Sequence, residues 1–211
     1  MKKNGSFVLK LIFGLMGAIY AVIGVTEKGY MDVKITAKGK GGHASAPPAS
    51  QAMGRLGRAL HRLEKKPMPF TLTKPALEMF DVMGRESTFL FRLIFANLWC
   101  FAPVLNLICR LSGGELNALV RTTVAFTQMK GSQASNVIPP TAELVSNMRL
   151  NPYDTIDTAL THLRRAVDDE RVEITAIGGV NPSRISSIEC EGWERVSRAV
   201  ASTWKGCIVS P

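Results

Sequence analysis

Three short polar stretches hold residues able to act on a substrate. The first is Gly41-Gly42-His43-Ala44-Ser45. Paired glycines let a backbone approach a ligand closely. An imidazole placed there can donate a hydrogen bond to a developing oxyanion; alone, it reads equally as a solvated turn histidine. The second is Ser135-Asn136-Val137-Ile138-Pro139-Pro140. Its Asn136 amide can orient a substrate, or simply shape a turn. The third is Asn147-Met148-Arg149-Leu150-Asn151-Pro152. Arg149 can grip a carboxylate through two parallel hydrogen bonds, and by spacing alone it is an exposed arginine at a strand end. No metal ligands are assigned. The histidines are His43, His61 and His162, with no H-x-D, and Cys100, Cys109, Cys190 and Cys207 form no C-x-x-C. Asp168-Asp169-Glu170 reads as a solvated turn at a helix end.

The elements that must position these residues follow from periodicity. Tyr30 to Lys38 alternates, with Met31, Val33, Ile35 and Ala37 on one side, as in a half-buried strand. The His43 loop follows it. Pro47 and Pro48 suit a helix start, and Ala52, Met53, Leu56, Leu60 and Leu63 carry helical spacing to Lys66. Gly54 and Gly57 weaken that helix, so each is expected at a close contact. Val120–Met129 and Ala142–Leu150 read as strands. Thr155 or Asp154 caps a helix through Val167, and Val172 to Ala176 alternates again. Residues 67–119, with several prolines and many aromatics, read as a largely helical insertion. Residues 178–187 read as a linker, and Glu191–Trp204 as an amphipathic helix. Without the insertion the order is strand, helix, strand, strand, helix, strand. That is the α+β ferredoxin-like pattern: a four-stranded antiparallel sheet with two helices on one face.

Composition narrows the partners. The 211 residues are 46% apolar and 20% charged, which excludes wholesale disorder. A net charge of +9 favours acidic partners. Nucleic acid is not expected, because aromatics are only 7% and the Val120–Met129 strand offers Phe126 alone for stacking. The cysteine density implies reduced thiols and a cytoplasmic protein. Residues 7–25 are nearly all apolar after Lys2-Lys3. They read as a buried segment, or alternatively as a membrane anchor.

Taken in order, the three polar stretches resemble the lid, or dimerisation, domain of the aminoacylase and carboxypeptidase family of dizinc amidohydrolases. That group includes carboxypeptidase S, acetylornithine deacetylase and succinyl-diaminopimelate desuccinylase. The matching stretches are VIGVTEKGYMDVKITAKGKGGHASAPP, ASNVIPPTAELVSNMRLNP and ECEGWERVSRAVASTW, over roughly residues 21–211. The aromatic insertion resembles that of the carboxypeptidase S branch. The resemblance implies a homodimer formed through the lid. It implies hydrolysis of a peptide or N-acyl amino-acid amide bond by two zinc ions held in a separate catalytic domain. It gives His43 an oxyanion-stabilising role in the partner subunit's site, with Asn136 and Arg149 holding substrate. The family's H-x-D segment and its other zinc ligands are not matched. The chain is therefore expected to be a fragment, inactive alone, with a catalytic-domain stub at 1–29, a lid at 30–178 interrupted by 67–119, and a linker and return helix at 179–211. The alternative is a free-standing dimerisation or protein-interaction module without catalysis.

Overall fold

The computed structural model describes residues 19–211. In chain order its elements are β1 (Ile19–Val22), β2 (Gly29–Lys38), β3 (Gly42–His43), α1 (Ala52–Lys65), α2 (Lys74–Arg85), α3 (Phe89–Ala96), α4 (Leu98–Ser112) and α5 (Gly114–Leu119). There follow β4 (Thr123–Lys130), β5 (Val137–Ile138), β6 (Thr141–Leu150), α6 (Ile156–Val167), β7 (Val172–Val180), α7 (Glu191–Thr203) and β8 (Cys207–Ser210). The chain divides into two compact units. One comprises Lys28–Pro69 and Arg121–Ser183. The other comprises residues 19–27, Phe70–Val120 and Arg184–Pro211.

The first unit is a mixed α/β module around a four-stranded sheet of order β4-β6-β2-β7, every neighbouring pair antiparallel. Alternation along β2 buries Met31, Val33, Ile35 and Ala37, and the same period in β6 buries Ala142, Leu144, Ser146, Met148 and Leu150. The apolar side chains among these share one core with Ala52, Leu56, Ala59 and Leu63 of α1 and Ala159, Leu163, Ala166 and Val167 of α6. The other face of β2 carries Asp32, Lys34, Thr36 and Lys38, where Lys34 pairs with Glu143 across the strands at 2.7 Å. Helix α6 begins with a reciprocal cap. Thr155 Oγ1 accepts from Thr158 N at 3.2 Å, and Thr155 N donates to Thr158 Oγ1 at 2.8 Å.

Several boundaries differ from the sequence reading. Pro47 and Pro48 lie outside α1, which starts at Ala52 with Gln51 in an extended conformation. The residue before a proline is disfavoured in the helical region, which delays the helix start past the Pro47-Pro48 pair. Gly54 and Gly57 are not close contacts. A Cβ on Gly57 would meet nothing within 4 Å, and one on Gly54 only Arg58 at 3.7 Å. The stretch expected to begin a linker is still strand, because β7 continues to Val180 across a register shift opposite Asp32 and Val33. Gly178 and Gly179 extend it, and a Cβ at Gly179 would sit 2.7 Å from the Tyr30 carbonyl oxygen.

The second unit is helical around one small core. Tyr20, Ala76, Met79, Phe80, Met83 and Leu98 are buried together, with Phe95 and Ile208 against them. Phe80 and Phe95 stack with ring centroids 5.4 Å apart. Helices α2 and α3 meet closely at Gly84, where a Cβ would lie 2.9 Å from Phe95 Cβ. Strand β1 pairs in parallel with β8. Of the apolar 7–25 segment, residues 7–18 lie outside the described residues, and Ile19–Val22 forms β1. Among the described residues, no helix is long and apolar enough to cross a membrane. The cysteines described, Cys100, Cys109, Cys190 and Cys207, are free thiols.

Candidate functional site

His43 and Asn136 meet at one end of the sheet. Beyond the last β2–β6 pair, Lys38 with Thr141, the two chains stay tied. Gly39 N donates to Pro140 O at 2.8 Å, and β3 then pairs with β5, Gly42 opposite Ile138 and His43 opposite Val137. Ala44 N donates to Asn136 O at 2.9 Å. The close approach favours glycine at Gly41, where a Cβ would stand 3.1 Å from Ile138 O and 3.2 Å from Pro140 Cδ. So the two loops carrying the first two polar stretches form one short ladder, and His43 stands exposed upon it.

The His43 ring is held locally. Its Nδ1 accepts the Ser45 backbone N–H at 3.2 Å and lies 2.8 Å from Ser45 Oγ. Among the described residues, no hydrogen-bond partner engages its Nε2. The base of the loop is held from beneath by Arg55, which is 4% exposed. Its guanidinium donates to the Lys38 carbonyl, where β2 ends, and to Ser50 Oγ at 2.9 Å, just before α1 begins. Asp169 Oδ2 lies 3.6 Å from Arg55 Nε, an ion pair without a hydrogen bond. The hydrogen bond from Arg171, helped by the Arg55 charge, holds the Asp169 carboxyl below its usual range. Both ends of the 39–50 loop thus converge on one buried cation.

Arg149 lies elsewhere. It is opposite Tyr30, at the start of β2, and its guanidinium sits 5.9 Å from the Tyr30 ring centroid, a cation–π contact. From Tyr30 to Lys38 the strand runs about 26 Å at its usual rise. Arg149 therefore does not converge with His43 and Asn136 within one chain. At this end Asn147 Nδ2 donates to Asp32 Oδ1 at 2.7 Å. Lys28 Nζ donates to Arg121 O at 3.2 Å, and burial lowers its pKa to about 8 against the opposing pull of Asp154.

Sequence reasoning singled out His43, Asn136 and Arg149 but assigned nothing to Ser45 or Arg55. A serine two residues after a loop histidine is a readable signal, because hydroxyl residues bond to near neighbours in turns. Arg55 had no such signal: an arginine in a helix is ordinarily a surface residue.

The sheet-and-helix module thus carries His43 on a tethered loop and Arg149 at the far end of β2. The chain belongs to the peptidase dimerisation domain family, whose model matches residues 25–175. It is 36% identical over 193 residues to the N-fatty-acyl-amino acid synthase/hydrolase PM20D1 of Xenopus tropicalis, covering 90% of this chain and 38% of that protein. It is 32% identical over 205 residues to a probable carboxypeptidase S-like 2 of Dictyostelium discoideum, covering 97% of this chain and 39% of that protein. The chain thus spans about two fifths of the length of these curated relatives. An M20 family metallo-carboxypeptidase, Sso-CP2 of Sulfolobus solfataricus, shares its fold at a TM-score of 0.54 and 14% identity, over 91% of this chain and 53% of that one.

Proposed function

We propose that this chain is the lid and dimerisation part of a zinc-dependent metallopeptidase or amidohydrolase that cleaves peptide or N-acyl amino-acid amide bonds. It acts as a homodimer, and the protein is cytoplasmic. The single observation that carries the reading is the tethered His43, exposed on the β3–β5 ladder with Nε2 facing no partner among the described residues. An imidazole so placed can donate to an oxyanion on a molecule brought to it, and Asn136 beside it can orient that molecule's polar groups. Arg149 takes the substrate carboxylate. The run of strand separating it from His43 and Asn136 fits a dimer in which these groups serve different copies of the site.

The strand order β4-β6-β2-β7, with α1 and α6 sharing its core, supports the ferredoxin-like arrangement for the lid. We assign the lid to residues 30–178, the helical insertion to 67–119, and stubs toward a catalytic domain to 1–29 and 179–211. Two zinc ions belong to that catalytic domain. Among the described residues no group of three or more His, Cys, Asp or Glu could hold a metal ion, so these residues do not fit a metal centre. Carriage of His43→Ala in an enzyme containing this chain is expected to lower kcat by about a hundredfold or more, the scale of losing one oxyanion donor. Its zinc content stays unchanged. Near-wild-type kcat would make His43 a passive turn residue.

A further inference from the structure

We infer that Ser45 is a positioning residue that fixes the tautomer and direction of the His43 ring. The direction of each contact follows from which atoms can donate. A backbone N–H has no acceptor function, so Ser45 N, 3.2 Å from His43 Nδ1, can only give its proton to that nitrogen's lone pair. A protonated Nδ1 would set two N–H groups against each other. The Ser45 hydroxyl, 2.8 Å from the same nitrogen, can donate to the same lone pair once the backbone N–H has made Nδ1 the acceptor. Together these contacts place the neutral ring's proton on Nε2 and keep Nδ1 as the acceptor. The ring nitrogen that faces no protein partner is then a donor rather than an acceptor. A histidine's far nitrogen takes its role from the bond its near nitrogen makes.

The geometry also sets direction. The histidine backbone is fixed by the β3–β5 pairing opposite Val137, and Ala46 N donates to His43 O at 3.1 Å, closing a tight turn over Ser45. With the backbone held and Nδ1 turned back onto Ser45, Nε2 is the atom presented outward. The tautomer rests on these contacts alone. Its consequence for rate rests on the oxyanion role proposed for His43, since only an Nε2–H can stabilise an oxyanion.

Nitrogen NMR of the histidine ring in this chain separates the two. In the neutral ring, wild type is expected to show a pyridine-like Nδ1 and a pyrrole-like Nε2. Ser45→Ala keeps the backbone N–H but loses the hydroxyl, and should move both nitrogens part of the way toward averaged values. Ser45→Thr should restore the wild-type pattern. A proton on Nδ1 in wild type, or ring signals unchanged by Ser45→Ala, overturns the inference. In the full-length enzyme, Ser45→Ala should lower kcat about five- to tenfold, the scale of one ordinary hydrogen bond, with KM unchanged. It should have no further effect on a His43→Ala background. If His43→Ala itself leaves kcat intact, the oxyanion reading fails while the ring spectrum still decides the role of Ser45.

Discussion

At the level of single residues, the chemistry divides between two ends of one sheet. His43 and Asn136 share a ladder, while Arg149 stands over Tyr30 at the other end. The sequence showed which residue types could act, because glycine pairs, an Asn before prolines and a strand-end arginine are visible as letters. It could not show which of them converge. That depends on strand register, which pairs Arg149 with the first residues of β2 and not the last. If Arg149 grips a carboxylate, Arg149→Ala should raise KM for N-acyl amino acids by about ten- to a hundredfold, the worth of a charge-assisted bond. It should lower kcat much less, and steady-state kinetics on the full-length enzyme will distinguish the two. Lys28 carries a separate, pH-dependent consequence. Burial lowers its pKa from the ordinary 10.5 to about 8, so the folded protein gives up this proton before the unfolded chain does. Between those two values the unfolded state binds more protons, and stability rises with pH; below about 8 the penalty is fully present. Urea unfolding at pH 8 and pH 10 should show wild type gaining stability relative to Lys28→Met. No relative gain would contradict the buried-ammonium account.

At the level of elements, period and capping were legible and contacts were not. The alternation in β2 and β6 and the Thr155 cap of α6 follow directly from residue type. The role of the glycines did not. Gly54 and Gly57 read as contact points, yet open space faces Gly57, while Gly39, inconspicuous within a lysine-glycine run, is tightly placed. A Cβ there would lie 2.7 Å from Ala52 N and 3.2 Å from Ala52 Cα, against the backbone that opens α1. Opposite signs follow. Gly57→Ala should stabilise the chain by about 0.5–1 kcal/mol, since alanine replaces a flexible residue in an exposed helix interior. Gly39→Ala should destabilise it by about 1–3 kcal/mol, as overpacking does. Denaturant midpoints of the two variants test the pair. The inner ends of the 39–50 loop show why one helix can govern it: Arg55 reaches from α1 to both Lys38 and Ser50.

At the level of the whole molecule, the sheet unit has a continuous core of its own, while the helical unit leaves much apolar surface bare. Phe89, Trp99 and Leu111 are 80%, 83% and 79% exposed. The aromatic richness of the insertion was plain in the sequence. That these three side chains lie in water in this chain could be learned only from how α3 and α4 pack. Surfaces of that kind belong to interfaces or ligand grooves. In the proposed dimer of the full-length enzyme, His43 would serve the active site of the partner subunit. The most direct test is subunit mixing in the full-length enzyme. Subunits carrying His43→Ala are exchanged with subunits inactivated at the metal site, each inactive alone. A histidine borrowed in trans predicts that random mixing restores about a quarter of wild-type activity, because half the dimers are mixed and each has one complete site. Mixed dimers that stay inactive, while wild-type dimers survive the same exchange, would contradict it.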